Sequence, residues 1–250
     1  MTDNTTALVT GANKGIGYEI AAGLAARGMT VLLGCRDHTR GEQAATRLRE
    51  QAATGPHAQI IDVRPIVLDV TDPATIEAAA ASLTRLDVLV NNAGISGPTI
   101  DPPSAMAAQT VREVFETNVI GVLMVTNAML PLLRRSPAPR IVNVSSGVGS
   151  LAHHTDPNHY MSALPPTAAY PISKTALNSL TVQYAKELRK DGILVNAAAP
   201  GACATDFTKD LPLTITRTAA DGAAIIVHLA TLGPDGPTGG FFDDAGPVPW

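Results

Sequence analysis

The run Ala7-Leu8-Val9-Thr10-Gly11-Ala12-Asn13-Lys14-Gly15-Ile16-Gly17 decides the fold. A short apolar strand, residues 7–10, stops at a glycine-rich turn, and residues 16–27 continue at helical spacing. Glycines at 11, 15 and 17 permit a tight turn and let a pyrophosphate approach the backbone. The helix that follows presents free N–H groups and a partial positive charge at its N-terminus. The spacing is Gly-x3-Gly-x-Gly, not the Gly-x-Gly-x2-Gly of the common dinucleotide fingerprint. Read alone, such a triplet also fits an ordinary strand-to-helix turn.

Working outward, further strand-like runs at 30–34, 66–70, 87–90, 140–145, 193–197 and 239–243 alternate with helical patterns. The helices are expected over 40–53, 73–83, 107–133, 167–190 and 219–232. This order predicts an α/β chain: a single-domain Rossmann fold over 1–250, with a doubly wound parallel sheet of about seven strands, helices on both faces and right-handed crossovers. No internal repeat or linker interrupts it. Three irregular stretches, 95–104, 147–166 and 202–218, follow strand C-termini, where open α/β sheets bind ligands.

Composition agrees. Hydrophobic residues make up 45% of the 250 residues and aromatics only 4%, so the apolar content is mostly Ala, Val, Leu and Ile, as strands covered on both faces require. The formal net charge of −4 has no basic run for nucleic acid or a membrane surface. The N-terminus lacks a signal-peptide pattern, and the apolar window 119–133 is too short to span a bilayer. A soluble, cytoplasmic protein is expected. Cys35 and Cys203 are expected to stay reduced, and no Cys/His spacing indicates a metal.

Four segments, in order, resemble the short-chain dehydrogenases/reductases. They are the Thr10-Gly11-x3-Gly15-Ile16-Gly17 turn, Asn91-Asn92-Ala93-Gly94, Ala169-Tyr170-x3-Lys174, and Asn196 to Pro200-Gly201 followed by Thr205. The resemblance covers almost the whole chain. It implies an NAD(P)(H) oxidoreductase in which Gly11, Asn13, Lys14, Gly15, Ile16, Gly17, Asn92, Ala93, Gly94, Pro200 and Gly201 surround the dinucleotide. It places Thr205 at the nicotinamide carboxamide, and Asp69 and Val70 beside the adenine. For Asp69, a turn residue capping the next helix is the alternative reading.

The second strand ends in Gly34-Cys35-Arg36-Asp37. An acid there would bind the ribose 2′-OH of NAD, but the position reads as Cys35. Arg36 and Lys14 favour a 2′-phosphate, so NADP(H) is expected in preference to NAD(H). The alternatives are that both are solvated surface charges, or that Asp37 binds the ribose.

Tyr170 and Lys174 are four apart on a predicted helix and share a face. A free tyrosine, with pKa ~10, is a poor base at neutral pH, and a nearby ammonium should lower it. The resemblance makes Tyr170 the general acid/base and gives Lys174 the nicotinamide ribose. It also assigns Ser146 to the substrate oxygen, with Ser145 as the alternative. Asn118 resembles the family's helix asparagine, which bends its helix and supports a water relaying protons through Lys174.

Ser146 and Tyr170 are 24 positions apart, a gap that reads as an insertion holding His153, His154, Asp156, His159 and Tyr160. A polar lid is expected there, with a metal site as the lesser alternative. The insertion, the Asn13-Lys14 turn and the Arg36-Asp37 pair resemble the carbonyl-reductase branch. The tail 236–243 does too, and Trp250 and the phenylalanines either line the substrate cleft or pack in the core. The function expected is reduction of a ketone, aldehyde or quinone with an apolar body by NADPH. Oxidative NAD(P)-linked alcohol dehydrogenation and a non-catalytic cofactor sensor are the alternatives. The chain is expected as a monomer or homo-oligomer.

Overall fold

The computed structural model describes residues 5–55, 58–97, 101–210 and 214–250. Parts of two expected ligand loops, 98–100 and 211–213, lie outside the described residues. The chain alternates β1 (Thr6–Thr10), α1 (Gly15–Ala25), β2 (Thr30–Cys35), α2 (His38–Thr54), β3 (Asp62–Val67), α3 (Pro73–Ser82) and β4 (Val88–Asn91). Next come α4 (Ala108–Phe115), α5 (Gly121–Leu133) and β5 (Arg140–Val144). The remainder is α6 (Leu151–Thr155), α7 (Tyr170–Leu188), β6 (Leu194–Ala198), α8 (Ala219–Ala230), β7 (Phe241–Asp243) and β8 (Gly246–Pro247).

The sheet runs β3-β2-β1-β4-β5-β6-β7-β8. Every ladder through β7 is parallel, and β8 closes the edge antiparallel to β7. The expected strands thus gain an eighth, a two-residue element. The strand order reverses between β1 and β4, which opens a crevice at their C-terminal ends.

The apolar runs alternate between two cores. Ala7 and Val9, Val88 and Val90, and Val142 and Val144 face the side covered by α1, α2 and α8. Leu8, Leu89 and Ile141 face the side covered by α3, α5 and α7. Among the buried strands, one amide ladder breaks the apolar rule. Asn91 and Asn143 stand opposite each other in the β4–β5 register, and the Asn91 Nδ2 donates to Asn143 Oδ1 at 2.9 Å and to Thr126 Oγ1 at 3.1 Å. Asn143 Nδ2 passes the chain on to Thr181 Oγ1 at 2.9 Å.

Three expectations need correction. β3 lies at Asp62–Val67, not 66–70, because its ladder ends where β2 ends, at the Cys35–Val67 pair. The insertion is not irregular throughout: Ser150 caps a helical turn, α6, by accepting from the His153 N–H at 3.1 Å. The apolar stretch at 119–133 belongs to a 26-residue helical run, Ala108–Leu133, long and apolar enough to cross a membrane by composition. Val125, Met129, Leu130 and Leu133 of that run instead pack in the core against the sheet.

Candidate active site

The glycine turn is built as a cradle. Gly11 (φ +65°) and Gly15 (φ +59°) take left-handed conformations that side chains resist. A Cβ on Gly17 would lie 2.4 Å from Asn92 Nδ2 and 2.5 Å from the Gly11 carbonyl oxygen. Asn92 fastens this turn to β4: its Nδ2 donates to the Thr10 carbonyl at 2.8 Å. Thr10 Oγ1 in turn accepts from the N–H groups of Asn92 and Ala93, at 2.9 and 3.0 Å. Lys14 is the residue preceding α1, and its side chain makes no cap there. The first N–H groups of that helix therefore lack a side-chain acceptor, which suits a phosphate. Tight glycines and an uncapped helix end fit a pyrophosphate.

Lys14 itself reaches across the crevice. Its ammonium pairs with Asp206 at 2.7 Å, in the loop after β6, and holds that carboxyl below the usual carboxylate range. Thr205 comes to the turn as well, its Cγ2 3.7 Å from where a Gly15 Cβ would stand. Arg36 is exposed just past β2. Asp37 caps α2, accepting from the Arg40 N–H at 2.9 Å. Cys35 is buried, with its thiol pushed up to about 11 by burial. The Asp69 carboxylate accepts from the Thr71 N–H at 2.9 Å and its hydroxyl at 2.7 Å, a turn contact, while Asp72 caps α3. Val70 is buried under Gly121.

The catalytic candidates meet at the end of β5. The Ser146 hydroxyl stands near the Tyr170 phenol and acts to lower its pKa. Ser145 Oγ instead donates to Asn178 Oδ1 at 2.6 Å, in the buried interior. Lys174 is buried, its ammonium donating to the Val144 carbonyl at 2.7 Å and standing 5.6 Å from the Tyr170 ring centre. Asn118 is fully buried at a π-turn, Glu116–Ile120, that joins α4 to α5. Its Oδ1 accepts from the Ile95 N–H and its Nδ2 donates to the Ile95 carbonyl, both at 2.9 Å, and to Ser173 Oγ at 3.0 Å. Gly94 lets these groups converge: a Cβ there would lie 3.2 Å from Asn118 Oδ1 and 3.7 Å from Lys174 Nζ.

One expectation about charge is reversed. Burial pushes the Tyr170 phenol up to about 12, and only the Ser146 hydroxyl pulls it down. Burial pushes Lys174 down to about 8. Desolvation therefore outweighs the expected lowering of Tyr170 by the ammonium.

Tyr170 is aimed by strain. Ala169 has φ 62° and ψ −80°, and the Tyr170 N–H donates to the Ala168 carbonyl at 2.9 Å. This is a γ-turn of the rarer, strained hand. Phe207 faces Tyr170 with ring centres 5.4 Å apart. Sequence reasoning quotes Thr10 only as part of the turn motif, and it misses Ser173, Asp206, Phe207 and Arg217. Their contacts depend on loop folding and carry no local pattern. Only Ser173 had a signal, as the neighbour of Lys174.

In the insertion, His153 and His159 stack with ring centres 3.8 Å apart. Among the described residues no three His, Cys, Asp or Glu side chains form a metal-ligand group. Trp250 stacks on Phe241, itself buried with Ala197, Ala199 and Val248.

The model of the short chain dehydrogenase family matches residues 5–215. A short-chain dehydrogenase of Penicillium roqueforti is 37% identical over 234 residues, covering 90% of this chain and 88% of the relative. Carbonyl reductase [NADPH] 1 of Rattus norvegicus is 32% identical over 290 aligned residues, covering 99% of each chain. The crystal structure of NADPH-bound carbonyl reductase from chicken fatty liver superposes with a TM-score of 0.81 at 30% identity, covering 99% of each chain.

Proposed function

The chain belongs to the short-chain dehydrogenase/reductase family of NAD(P)-dependent oxidoreductases, and we propose that within it this protein reduces a carbonyl group on a small, apolar molecule with NADPH. The observation that carries this reading is the grouping of Ser146, Tyr170 and the buried Lys174, whose ammonium stands 5.6 Å from the Tyr170 ring centre.

Gly11, Asn13, Lys14, Gly15, Ile16 and Gly17 would hold the pyrophosphate end, and Arg36 with Lys14 the 2′-phosphate. Asn92, Ala93, Gly94, Pro200, Gly201 and Thr205 would line the nicotinamide half, with Asp69 and Val70 toward the adenine. Bound nicotinamide supplies the hydride. Ser146 holds the carbonyl oxygen with its hydroxyl, and Tyr170 Oη hands that oxygen a proton as the carbon accepts hydride. Lys174 then restores the phenol's proton, and Asn118 fixes the Ile95 segment against α7 so that Lys174 keeps its place. Phe207, whose ring faces Tyr170, gives the cleft an apolar wall suited to an apolar body.

The Lys14–Asp206 pair favours a second reading, because it neutralises one of the two cations assigned to the 2′-phosphate. In that reading the chain is an NAD(P)-linked alcohol dehydrogenase working oxidatively. Cofactor absorbance followed with NADPH, then NADH, over a panel of aldehydes, ketones and quinones tests both. Oxidation of NADPH by one carbonyl class supports the reductase. Turnover only with alcohols and oxidised cofactor supports the second reading. Binding without any turnover points to a sensor.

A further inference from the structure

Two stretches flank the Ser146–Tyr170 pair, residues 147–166 and 202–210, and both are fastened to the same third piece of chain. That piece is the hairpin of β7 and β8 with the tail that follows it.

On one side stands Arg217. Its Nε donates to the Pro200 carbonyl at 2.8 Å and its Nη2 to the Asp221 carbonyl at 2.9 Å. The same Nη2 pairs with Asp244, in the turn between β7 and β8. The Ala204 N–H donates to the Arg217 carbonyl at 2.8 Å. Arg217 therefore closes the base of the loop that carries Thr205 and Phe207. Gly201 leaves room for it: with φ +72°, a Cβ there would stand 3.2 Å from Arg217 Nε. An exposed ion pair contributes little alone, but a planar guanidinium joining three chain segments fixes their geometry.

On the other side, Ser150 Oγ donates to the Pro249 carbonyl at 2.6 Å, and the Ala152 N–H to the Trp250 carbonyl at 3.0 Å. These bonds anchor the first turn of α6. Trp250 is fixed by stacking on Phe241 of β7, with ring centres 5.4 Å apart and planes 17° from parallel.

We propose that this hairpin is a positioning element of the substrate cleft, in which Arg217, Asp244 and Trp250 set the separation of the two walls over Tyr170. The kinetic consequence rests on the reductase reading, and the structural consequence does not. The three side chains act through the loops they hold, so they are positioning residues.

Amide hydrogen exchange on the full chain tests the shared tie. Asp244→Ala should speed exchange about tenfold or more at 202–210 and also, across the cleft, at 150–155, and Trp250→Ala should do the same in both segments. Faster exchange confined to the loop next to each substitution overturns the proposal. In the kinetic arm, Asp244→Ala should raise the carbonyl KM about fivefold or more, and by a larger factor than the NADPH Kd, because the 150–155 wall carries no cofactor contact; Asp244→Glu should recover most of the loss. A KM that is unchanged, or that rises no more than the Kd, overturns it. If the wild type turns over no carbonyl, the reductase reading fails, and the exchange measurement still decides whether the hairpin joins the two walls.

Discussion

Ser146 stands near Tyr170, 24 positions away in sequence, while Ser145, one residue earlier, donates into the interior to Asn178. Neighbouring residues of extended chain point to opposite sides, so the two serines cannot exchange roles. Ser146→Ala should lower turnover by about 10²–10³ through loss of the oxyanion contact. Tyr170→Phe should lower it by at least ~100-fold while NADPH binding persists. Ser145→Ala should keep turnover near wild type and instead cost about 1–3 kcal/mol of stability, because the buried Asn178 oxygen loses its donor. Steady-state kinetics with cofactor titration and thermal unfolding separates the three.

The buried pair gives the cofactor-free protein a signed pH dependence. Lys174 is pushed below its ordinary 10.5 to about 8, so between those values the unfolded chain binds the extra proton and stability rises with pH. Tyr170 is pushed above its ordinary 10.0 to about 12, so in that higher window the folded chain keeps the proton and stability falls as pH rises. Thermal midpoints from pH 7.5 to 10 should show the rise in wild type and lose it in Lys174→Met. A rise of equal size in that variant would remove Lys174 as its source.

In the proposed reading, Asp206 would compete with the 2′-phosphate for Lys14. Asp206→Asn should tighten NADPH binding by about two- to fivefold, the range expected of an exposed ion pair, and leave NADH unchanged. Raising ionic strength should shrink the difference. Arg36→Ala should cost NADPH about tenfold or more in kcat/KM relative to NADH, through loss of a charge-assisted contact. Equal kcat/KM for the two cofactors in the wild type would remove the phosphate role from both cations.

Ala169 and Ala168 are both buried, yet only Ala169 has a positive φ. Replacing a buried alanine by glycine ordinarily costs about 1 kcal/mol in lost burial and added chain entropy. At Ala169 the relief of a strained conformation, about 1–3 kcal/mol, offsets that loss. Ala169→Gly should therefore leave the thermal midpoint near wild type while Ala168→Gly lowers it. Equal losses at both positions would mean that Ala169 carries no strain.

The parts of the fold legible in sequence were those written as local pattern. Apolar runs stopping at Gly11 and Asn91, and the four-residue step from Tyr170 to Lys174, carry their placement with them. β3 is misplaced in the sequence reading because the apolar run Ile66 to Leu68 continues past the ladder's end at Val67, and where a ladder stops depends on its partner, β2. The turn α6 was missed because Leu-Ala-His-His-Thr has weak helical preference and its order comes from the Ser150 cap. Ties to the Pro249 and Trp250 carbonyls leave no trace in sequence, since every residue has a carbonyl. The pKa reversal at Tyr170 and Lys174 was not legible because burial is set by the whole fold.

The Asn91–Asn143 bond has a consequence for assembly. Two parallel strands of Val, Leu and Ile can slip by two residues and still present apolar faces to the same sides. Such a slip would displace the end of β5 from the end of β4 by about 6.6 Å, two strand rises, and carry Ser146 away from Gly94 by a comparable distance. A slip one way would set Asn91 opposite Ile141 and Asn143 opposite Ala93, and the other way Asn91 opposite Ser145 and Asn143 opposite Leu89; either breaks the amide pair. The ladder thus works as a detent: the sheet has one setting at which its polar teeth engage, and that setting brings the two halves of the cleft level.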